Sequence, residues 1–558
     1  MLMKNDTQIE TETVGEAIAR HLAEIGVDTV FGVISIHNMP ILDAIARQGR
    51  IRFVPARGEA GAMNMADAHA RVSRSLGVVI TSTGTAAGNA AGAQVEALTA
   101  GSPVLHITSQ VDREFMDRDR AAIHDVPRQT EMLKGVSKCC MRIWEPRSVH
   151  SVLSAAASAA LSAPAGPVSL EIPVDVQRSE VPVQRHVTRP IVTRPTAADD
   201  TIAILAEAVR RARRPMLWLG GGARGASKAA NELVARGFGA VTSTNGRAVV
   251  DEAHPATLGA FNMTPEAEAV YRQCDLMIVV GSRLRGNETR NNMLPLPRPL
   301  VQVDADATQG ARNYPVDLFI HGDAADVLER LLDRLPERLD TDSEFLHSIA
   351  IARAKAEGKL RDQLGVYRVI ADALQERIAP GNHPFVRDVT ISNSTFGNRY
   401  VQFADPHHGV HALGGGIGQG IAMGIGAGLV KDAAKAVVLV GDGGAQLGIA
   451  ELITAVEEQA NLVYVLMNDK AYGVIKNIQD AQYGSRHHYS ALRTPDFALL
   501  CQAVGLDHVR ISHEGAFADA LDAALKADGP VMIEVDMCAI GPFAQAFAGP
   551  PAGAAGKG

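Results

Sequence analysis

The sequence predicts an α/β protein of three doubly wound parallel-sheet domains, and three observations lead to this fold class. Short apolar segments alternate with helical patterns, as expected when helices cover both faces of a parallel sheet. The 558 residues are too many for one ordinary hydrophobic core. A composition with 46% hydrophobic residues and 52 glycines favours close packing of helices on sheets over disorder.

The alternating pattern falls into three blocks. In the first, residues 1–182, the helical pattern VGEAIARHLAEIGV precedes the strand-like runs TVFGV, IRFVPA, LGVVITST, PVLHITS and PVSLEIP. A stretch rich in Pro, Thr and Arg at 181–200 indicates a linker. The second block, 195–340, contains the runs RPMLWLGGG, AVTSTN, DLMIVVGS and LVQVDAD. The third, placed at 360–548, follows a charged helical segment.

Charge and composition argue against several classes of function. A net charge of −8 provides no basic surface for nucleic acid or an anionic membrane. No apolar run is long enough to span a bilayer, and the N-terminal residues lack the apolar core of a signal peptide. The five cysteines show no CxxC spacing, so neither a zinc site nor a disulfide framework is expected. We therefore expect a cytoplasmic enzyme that acts on small molecules.

The strongest chemical signal lies in the third block. The apolar run AVVLV leads into Gly441, Asp442, Gly443 and Gly444, and the run LVYVLM leads into Asn468. Parallel strands bind ligands at their carboxyl ends, where glycines let backbone amides approach phosphate oxygens. A carboxylate and an amide oxygen beside a diphosphate suit magnesium or calcium better than zinc. The alternative is that GDG is only a strand-to-helix turn.

The spacing of this motif resembles the signature of thiamine-diphosphate-dependent enzymes, in which GDG is followed, after twenty-four residues here, by Asn-Asp. The resemblance implies thiamine diphosphate held through Mg²⁺. Asp442 and Asn468 would bind the metal by their side chains, and Lys470 by its backbone carbonyl. Tyr472, Gly473 and Val474 follow in the family's NDxxYG context and are expected to contact the cofactor.

Two further segments resemble cofactor-binding parts of this family. HALGGGIGQGIAMGIGAGL, at 411–429, resembles the glycine-rich segment whose apolar wedge bends the cofactor into a V. The resemblance implies that the Gly415 carbonyl accepts from the aminopyrimidine, while the Ile417 amide donates to it. Close helix packing through small residues is the alternative. NSTFGNRY resembles the family's Asp-Val-Gly-Gln-His segment, which makes Gly397 and Asn398 the expected diphosphate contacts.

The first block supplies a candidate catalytic acid. Removing a proton from the cofactor's thiazolium requires a buried carboxylic acid that bonds the pyrimidine ring nitrogen. In IRFVPARGEAGAMNMADAHAR, Glu59 follows a strand and opens an Ala-rich helix, which resembles the family's activating segment with His69 in place of its tyrosine. A helix N-terminal carboxylate, favoured by the dipole, is the alternative. The family also implies a homodimer or homotetramer with active sites at subunit interfaces.

Three positions are expected to shape substrate choice. Ile-Ser-Ile at 34–36 replaces the Pro-Gly-Gly turn of acetolactate synthase, and His37 follows it. Ser82 stands where benzoylformate decarboxylase carries its catalytic histidine. His124 stands where acetolactate synthase has an active-site glutamine. His37 and His124 are therefore the candidates for proton transfer near neutral pH, although a lone histidine is more often structural.

The predicted function is an acetolactate-synthase-like lyase or transferase that decarboxylates a 2-oxo acid and ligates the product to a second carbonyl. Val474 supports this, because it replaces the protonating glutamate of pyruvate decarboxylase. One alternative is a simple decarboxylase of the benzoylformate type. Another is a pyruvate-oxidase-like enzyme with FAD in the middle block, less favoured because similar glycine turns occur in relatives that bind no nucleotide. A third is a relative that binds the cofactor without catalysis.

Overall fold

A computed structural model describes residues 10–184 and 186–547 of the chain. It contains three parallel sheets with flanking helices, so the predicted fold class is confirmed. By packing, the chain divides into two compact units. The first runs to Thr193 and also includes Ile425–Val430 and Ala450–Glu458, whereas the second contains the rest of the chain. Among the helices described, none is both long and apolar enough to cross a membrane.

The N-terminal sheet has six parallel strands. In spatial order these are β3 (Arg52–Pro55), β2 (Thr29–Gly32), β4 (Gly77–Thr81), β5 (Val104–Gln110), β7 (Val168–Pro173) and β6 (Cys139–Arg142). An antiparallel pair, β1 (Thr11–Thr13) and β8 (Glu180–Pro182), lies apart from it. The helices of this segment are α1 (Val14–Glu24), α2 (Met39–Gln48), α3 (Glu59–Ser73), α4 (Thr85–Ala100), α5 (Gln129–Lys134), α6 (Val149–Leu161) and α7 (Val174–Arg178). The central strands are buried along their whole length, as expected of a sheet covered on both faces.

The central sheet has five parallel strands and lies in the second unit. Its spatial order is β10 (Gly239–Thr242), β9 (Pro215–Leu219), β11 (Leu276–Val280), β12 (Leu300–Asp304) and β13 (Leu318–His321). Its helices, and the long helix that follows, are α8 (Asp199–Arg211), α9 (Ser227–Arg236), α10 (Pro265–Tyr271), α11 (Ala324–Leu332) and α12 (Ser343–Leu364). Apolar residues from both faces of this sheet form two clusters of the core.

The C-terminal sheet also has six parallel strands. Their order is β15 (Gly409–His411), β14 (Phe385–Arg387), β16 (Ala436–Gly441), β17 (Leu462–Asn468), β19 (Val531–Asp536) and β18 (Asp507–Ile511). The remaining helices are α13 (Arg368–Ile378), α14 (Gly420–Gly428), α15 (Asp442–Leu447), α16 (Glu451–Glu457), α17 (Gly473–Gln482), α18 (Phe497–Val504), α19 (Phe517–Lys526) and α20 (Met537–Ile540). The strand order reverses at β14, which places a ligand-binding crevice at the carboxyl ends of β14 and β16.

A buried histidine makes the N-terminal sheet sensitive to acid. His106 is fully buried on β5, where its Nδ1 lies 2.8 Å from Gln94 Oε1 and its Nε2 lies 2.8 Å from Thr81 Oγ1. Burial lowers the pKa of His106 to about 3. The imidazole has a pKa near 6.5 in the unfolded chain. Between about pH 3 and pH 6.5 it is therefore protonated in the unfolded chain but neutral in the folded one.

We predict that stability falls as the pH drops below about 6.5, since protonation then favours the unfolded chain. One such imidazole contributes a loss of roughly 2 kcal/mol between pH 7 and pH 5, at ~1.36 kcal/mol per pKa unit. Chemical denaturation of the wild type and of His106→Gln across this range measures the effect. The variant should lose less stability, and identical pH profiles for the two proteins would contradict the prediction.

Candidate active site

A cavity of about 400 Å³ opens in the second unit at the carboxyl ends of β14, β16 and β17. This volume lies within the usual range for small-molecule sites. The cavity is lined by nine residues predicted from the sequence: Gly415, Ile417, Gly441, Asp442, Gly443, Gly444, Tyr472, Gly473 and Val474. Its other walls include the apolar side chains of Ile391, Ile475 and Met537. The motif residues therefore converge on one mostly apolar pocket.

Asp442 begins α15 at the end of β16, and its side chain is 1% exposed. Its Oδ2 has no hydrogen-bond partner in the structure. Burial, together with the neighbouring Asp469, raises the pKa of Asp442. A cation at this position would compensate the buried carboxylate, because burying an unpaired charge is costly.

Asn468 ends β17, directly beside β16. Its Nδ2 donates to Glu534 Oε1 at 2.7 Å, and its Oδ1 has no partner. Glu534 lies on the neighbouring strand β19, and its Oε2 is 3.0 Å from His508 Nε2. This contact holds the Asn468 amide with its oxygen available as a ligand. Glu534 is not predicted from the sequence, where its only signal is a single acid in the buried run VMIEVD.

Lys470 has a left-handed backbone, with φ of 54°. Its carbonyl accepts from the Leu492 amide at 2.9 Å, and a carbonyl oxygen has a second lone pair for another partner. The available donors are thus one carboxylate oxygen, one amide oxygen and one carbonyl oxygen. This donor set fits a hard divalent cation such as Mg²⁺.

The expected diphosphate contacts, Gly397 and Asn398, do not line the cavity. A π-helical turn at Asn393–Gly397 directs them toward buried arginines: Arg247 and Arg387 both donate to the Gly397 carbonyl, and Arg387 also donates to Asn398 Oδ1. Residues 389–392, which begin two positions after the end of β14, line the cavity instead. Within this segment the buried Ser392 Oγ has no hydrogen-bond partner.

Glu59 is the first residue of α3, and the helix receives no side-chain cap from Gly58. Asn89 Nδ2 donates to Glu59 Oε2 at 3.1 Å. The buried Glu451 of α16, which packs in the same unit, accepts from the amides of Arg57 at 3.0 Å and Gly58 at 3.1 Å. Glu451 therefore holds the turn that precedes Glu59. A methyl group on Gly61 would lie 2.2 Å from Glu451 Oε1, so this contact requires glycine there.

The structure brings His37, Ser82 and His124 together in the first unit. His37 is buried, and its Nδ1 lies 3.4 Å from Ser82 Oγ. The ring centroids of His37 and His124 are 5.1 Å apart. Burial, followed by the nearby His124, lowers the pKa of His37, so its ring is neutral at pH 7. His124 is exposed with φ of 65°, and its carbonyl would lie 2.2 Å from a methyl group on Gly84.

The glycines at 220–222, which follow β9 of the central sheet, contact other groups of the protein. The Gly220 and Gly222 amides donate to the carbonyls of Val280 and Gly281. A methyl group on Gly221 would lie 2.3 Å from Asn245 Nδ2, so the Asn245 side chain fills the adjacent space. Close contacts within the protein therefore explain why glycines occupy these positions, and no bound nucleotide is needed to explain them.

Comparison with known proteins agrees with this geometry. Sequence models of the thiamine pyrophosphate enzymes match the chain in three parts: the N-terminal TPP binding domain at 12–132, the central domain at 202–331 and the C-terminal TPP binding domain at 390–535. The chain belongs to the thiamine pyrophosphate enzyme family. The resemblance inferred from GDG and Asn468 is therefore confirmed, and thiamine diphosphate is the cofactor of the family.

Curated relatives cover nearly the whole chain. A probable 2-ketoarginine decarboxylase of Pseudomonas aeruginosa is 31% identical over 89% of each chain. The acetolactate synthase isozyme 3 large subunit of Escherichia coli is 27% identical over 92% of each chain. A probable acetolactate synthase large subunit of Methanocaldococcus jannaschii is 25% identical, covering 93% of this chain and 91% of its own. The chain thus resembles both decarboxylases and acetolactate synthases.

We predict that Glu451→Ala loosens the turn before Glu59, because the amides of Arg57 and Gly58 lose their buried acceptor. Each unsatisfied buried donor costs about 1–3 kcal/mol, so chemical denaturation should show a comparable loss of stability. Amide hydrogen exchange should accelerate at both residues. Glu114→Ala is the control, since Glu114 is an exposed acid in the same unit. Unchanged exchange in Glu451→Ala would contradict the prediction.

Proposed function

We propose that the protein is a thiamine-diphosphate- and Mg²⁺-dependent enzyme that decarboxylates a 2-oxo acid and transfers the remaining acyl unit to a second carbonyl compound. The observation that carries this proposal is the pair of buried, unpartnered oxygens, Asp442 Oδ2 and Asn468 Oδ1, at the ends of adjacent strands. Asp442 lines the cavity with other motif residues, and Asn468 lies between two residues that line it, Met467 and Asp469. The bound cofactor supplies the electron sink for decarboxylation.

Different residues at the cavity are proposed to hold different parts of the cofactor. Asp442, Asn468 and the Lys470 carbonyl would hold the metal ion, which would supply positive charge to the diphosphate. The segment 389–392 replaces Gly397 and Asn398 as the proposed diphosphate contact, since its Ser392 hydroxyl has no protein partner. The Gly415 carbonyl and the Ile417 amide contact the aminopyrimidine, as the family resemblance implies.

Glu59 is the proposed activating acid, which bonds the pyrimidine ring nitrogen. In this family it acts on the cofactor bound by another subunit, so we propose a homodimer or homotetramer as the functional form. Glu451 supports this role by holding the backbone before Glu59. His37 and His124 are the proposed proton-transfer groups. Neutral His37 can accept a proton, and exposed His124 can exchange one with water.

The cavity wall favours transfer of the acyl unit to an acceptor over simple release of an aldehyde. Val474, which lines the cavity, is apolar where the aldehyde-releasing pyruvate decarboxylase has a protonating glutamate, so that position supplies no acid. Simple decarboxylation is the second candidate function, because one relative is named a probable 2-ketoarginine decarboxylase. Its substrate is included among those to be tested.

A panel of 2-oxo acids tests the proposal. Pyruvate, benzoylformate and 2-ketoarginine are each supplied with and without an acceptor carbonyl, while carbon dioxide release and product mass are followed. A product containing both carbon skeletons supports transfer, whereas a single aldehyde in both arms identifies a simple decarboxylase. Absence of carbon dioxide release from every acid would overturn the proposal. Flavin absorbance in the purified protein would instead support the pyruvate-oxidase-like alternative.

We predict that Glu59→Gln lowers turnover by about 10²- to 10⁴-fold, the usual contribution of a positioned acid or base. Binding of thiamine diphosphate should change little, because the anchoring residues lie on other segments. Steady-state kinetics and calorimetric titration separate the two effects. Glu131→Gln, an exposed substitution in the same domain, serves as the control. Equal turnover of wild type and Glu59→Gln would remove Glu59 from the mechanism.

We predict that Glu534→Ala weakens Mg²⁺ binding about 10- to 100-fold, the typical effect of losing a group that orients a metal ligand. Without Glu534, the Asn468 amide loses the contact that fixes its oxygen. Titration with Mg²⁺ at saturating thiamine diphosphate measures this affinity. Glu376→Ala, with a 71% exposed side chain in the same part of the chain, should leave it unchanged. Equal affinities for Glu534→Ala and wild type would contradict the assigned metal ligand.

A further inference from the structure

Asp388 is a buried carboxylate beside the cavity that the mechanism above does not use. It directly follows β14 and is 0% exposed. Its Oδ1 accepts from the Val389 amide at 2.7 Å, and its Oδ2 accepts from the amides of Gly418 at 3.0 Å and Gly420 at 3.1 Å. Both carboxylate oxygens are therefore engaged by backbone donors.

In the part of the chain that the structure describes, the groups that act on Asp388 are backbone amides, and no basic side chain is among them. A buried carboxylate without a counter-ion is stable only when hydrogen bonds replace its hydration. Here the donors are backbone amides, and two of them belong to the turn that precedes α14. The contact thus fixes the conformation of that turn, which we define as the glycine turn, residues 413–420.

The packing around Asp388 leaves no room for side chains. A methyl group on Gly420 would lie 2.8 Å from Asp388 Cβ, and one on Gly444 would lie 2.8 Å from Asp388 Oδ2. Gly415 and Gly418 have left-handed backbones, with φ of 79° and 86°. Gly420 and Gly444 therefore allow the backbone to approach the carboxylate closely. Gly415 and Gly418 allow a backbone conformation that other residues rarely adopt.

The opposite end of the glycine turn is also held. Arg285 Nη2 donates to the Leu413 carbonyl at 2.9 Å. The turn is thus fixed at Leu413 by Arg285 and at Gly418 and Gly420 by Asp388. Between these points, Gly415 and Ile417 line the cavity. The two residues assigned to the aminopyrimidine therefore lie on a segment held at both ends.

We propose that Asp388 is a positioning residue that presets the glycine turn, so that the Gly415 carbonyl and the Ile417 amide recognise the aminopyrimidine of the cofactor. The inference rests on the proposed function, because the pyrimidine contact is part of it. Asp388 acts through the turn and touches neither the cofactor nor the substrate. Its loss should reduce selectivity for the pyrimidine portion of the ligand.

The test compares two ligands in the presence of Mg²⁺: thiamine diphosphate, and thiazole diphosphate, which lacks the aminopyrimidine. Their ratio of dissociation constants isolates the pyrimidine contribution, because any change in diphosphate or metal binding affects both ligands. Asp388→Asn replaces one acceptor oxygen by an NH₂ group that faces backbone donors. We expect the ratio to shrink at least tenfold, as measured by calorimetric titration of the full-length protein.

A second variant reaches the same contact without changing the charge. Gly420→Ala places a methyl group against Asp388 Cβ and should separate the carboxylate from the turn, so it should shrink the ratio in the same way. Gly358→Ala is its control, because a methyl group there meets nothing within 4 Å. Asp323→Asn is the control for Asp388→Asn, since Asp323 also accepts from backbone amides but caps α11 of the central sheet.

The outcomes separate this inference from the proposed function. If the wild type prefers thiamine diphosphate and both variants keep that preference, the role of Asp388 is wrong while the function stands. If the wild type binds the two ligands equally, the pyrimidine contact itself is wrong, and both proposals fail. Loss of the ratio in Asp388→Asn and Gly420→Ala, with the two controls unchanged, supports the positioning role.

Discussion

The site depends on two oxygen atoms that the protein buries without a partner. Asp442 Oδ2 and Asn468 Oδ1 lie at the ends of β16 and β17, whose parallel register pairs Gly441 with Met467. Leaving such atoms unsatisfied costs on the order of 1–3 kcal/mol each, and more for a charge. In the proposed function, a hard cation beside a diphosphate would compensate this cost. The register of this strand pair thus fixes where the two proposed metal ligands lie.

Buried carboxylates organise the backbone around these proposed ligands and around the proposed activating acid. Asp388 accepts from the glycine turn, and Glu451 accepts from the two amides that precede Glu59. In both places a glycine, Gly420 or Gly61, allows the carboxylate to come close. Glu534 orients a side chain instead, through the Asn468 amide. These acids therefore set the geometry of the groups to which the proposed function assigns the cofactor contacts.

Sequence patterns point to Asp442 and Asn468 as metal ligands because the signal of each is local. An apolar strand followed by GDG, and a second strand followed by Asn468, can be recognised without knowing the fold, and the predicted parallel sheets place both at one edge. The supporting acids could not be predicted this way. Glu451 lies 394 residues from Arg57 in sequence, and nothing in its helix marks it as a partner.

The segment after β14 shows a different limit of sequence reasoning. Gly397 and Asn398 have suitable residue types for a phosphate contact, yet the π-helical turn at Asn393–Gly397 directs them to buried arginines. The register of an irregular turn depends on tertiary contacts, here those with Arg247 and Arg387. A motif that departs from its family pattern by a few residues therefore cannot be placed until the fold is known.

The substrate is harder to predict from the sequence than the cofactor, for a related physical reason. The proposed metal ligands Asp442 and Asn468 lie at strand ends, whereas His37 and His124 lie on connecting segments, and His124 adopts a left-handed backbone. Loops carry more of the variation between relatives than the strands they connect. The approach of His124 to His37 also depends on the close packing of its carbonyl against Gly84, a contact invisible in the sequence. One scaffold can thus keep the same cofactor chemistry while its loops select different 2-oxo acids and acceptors.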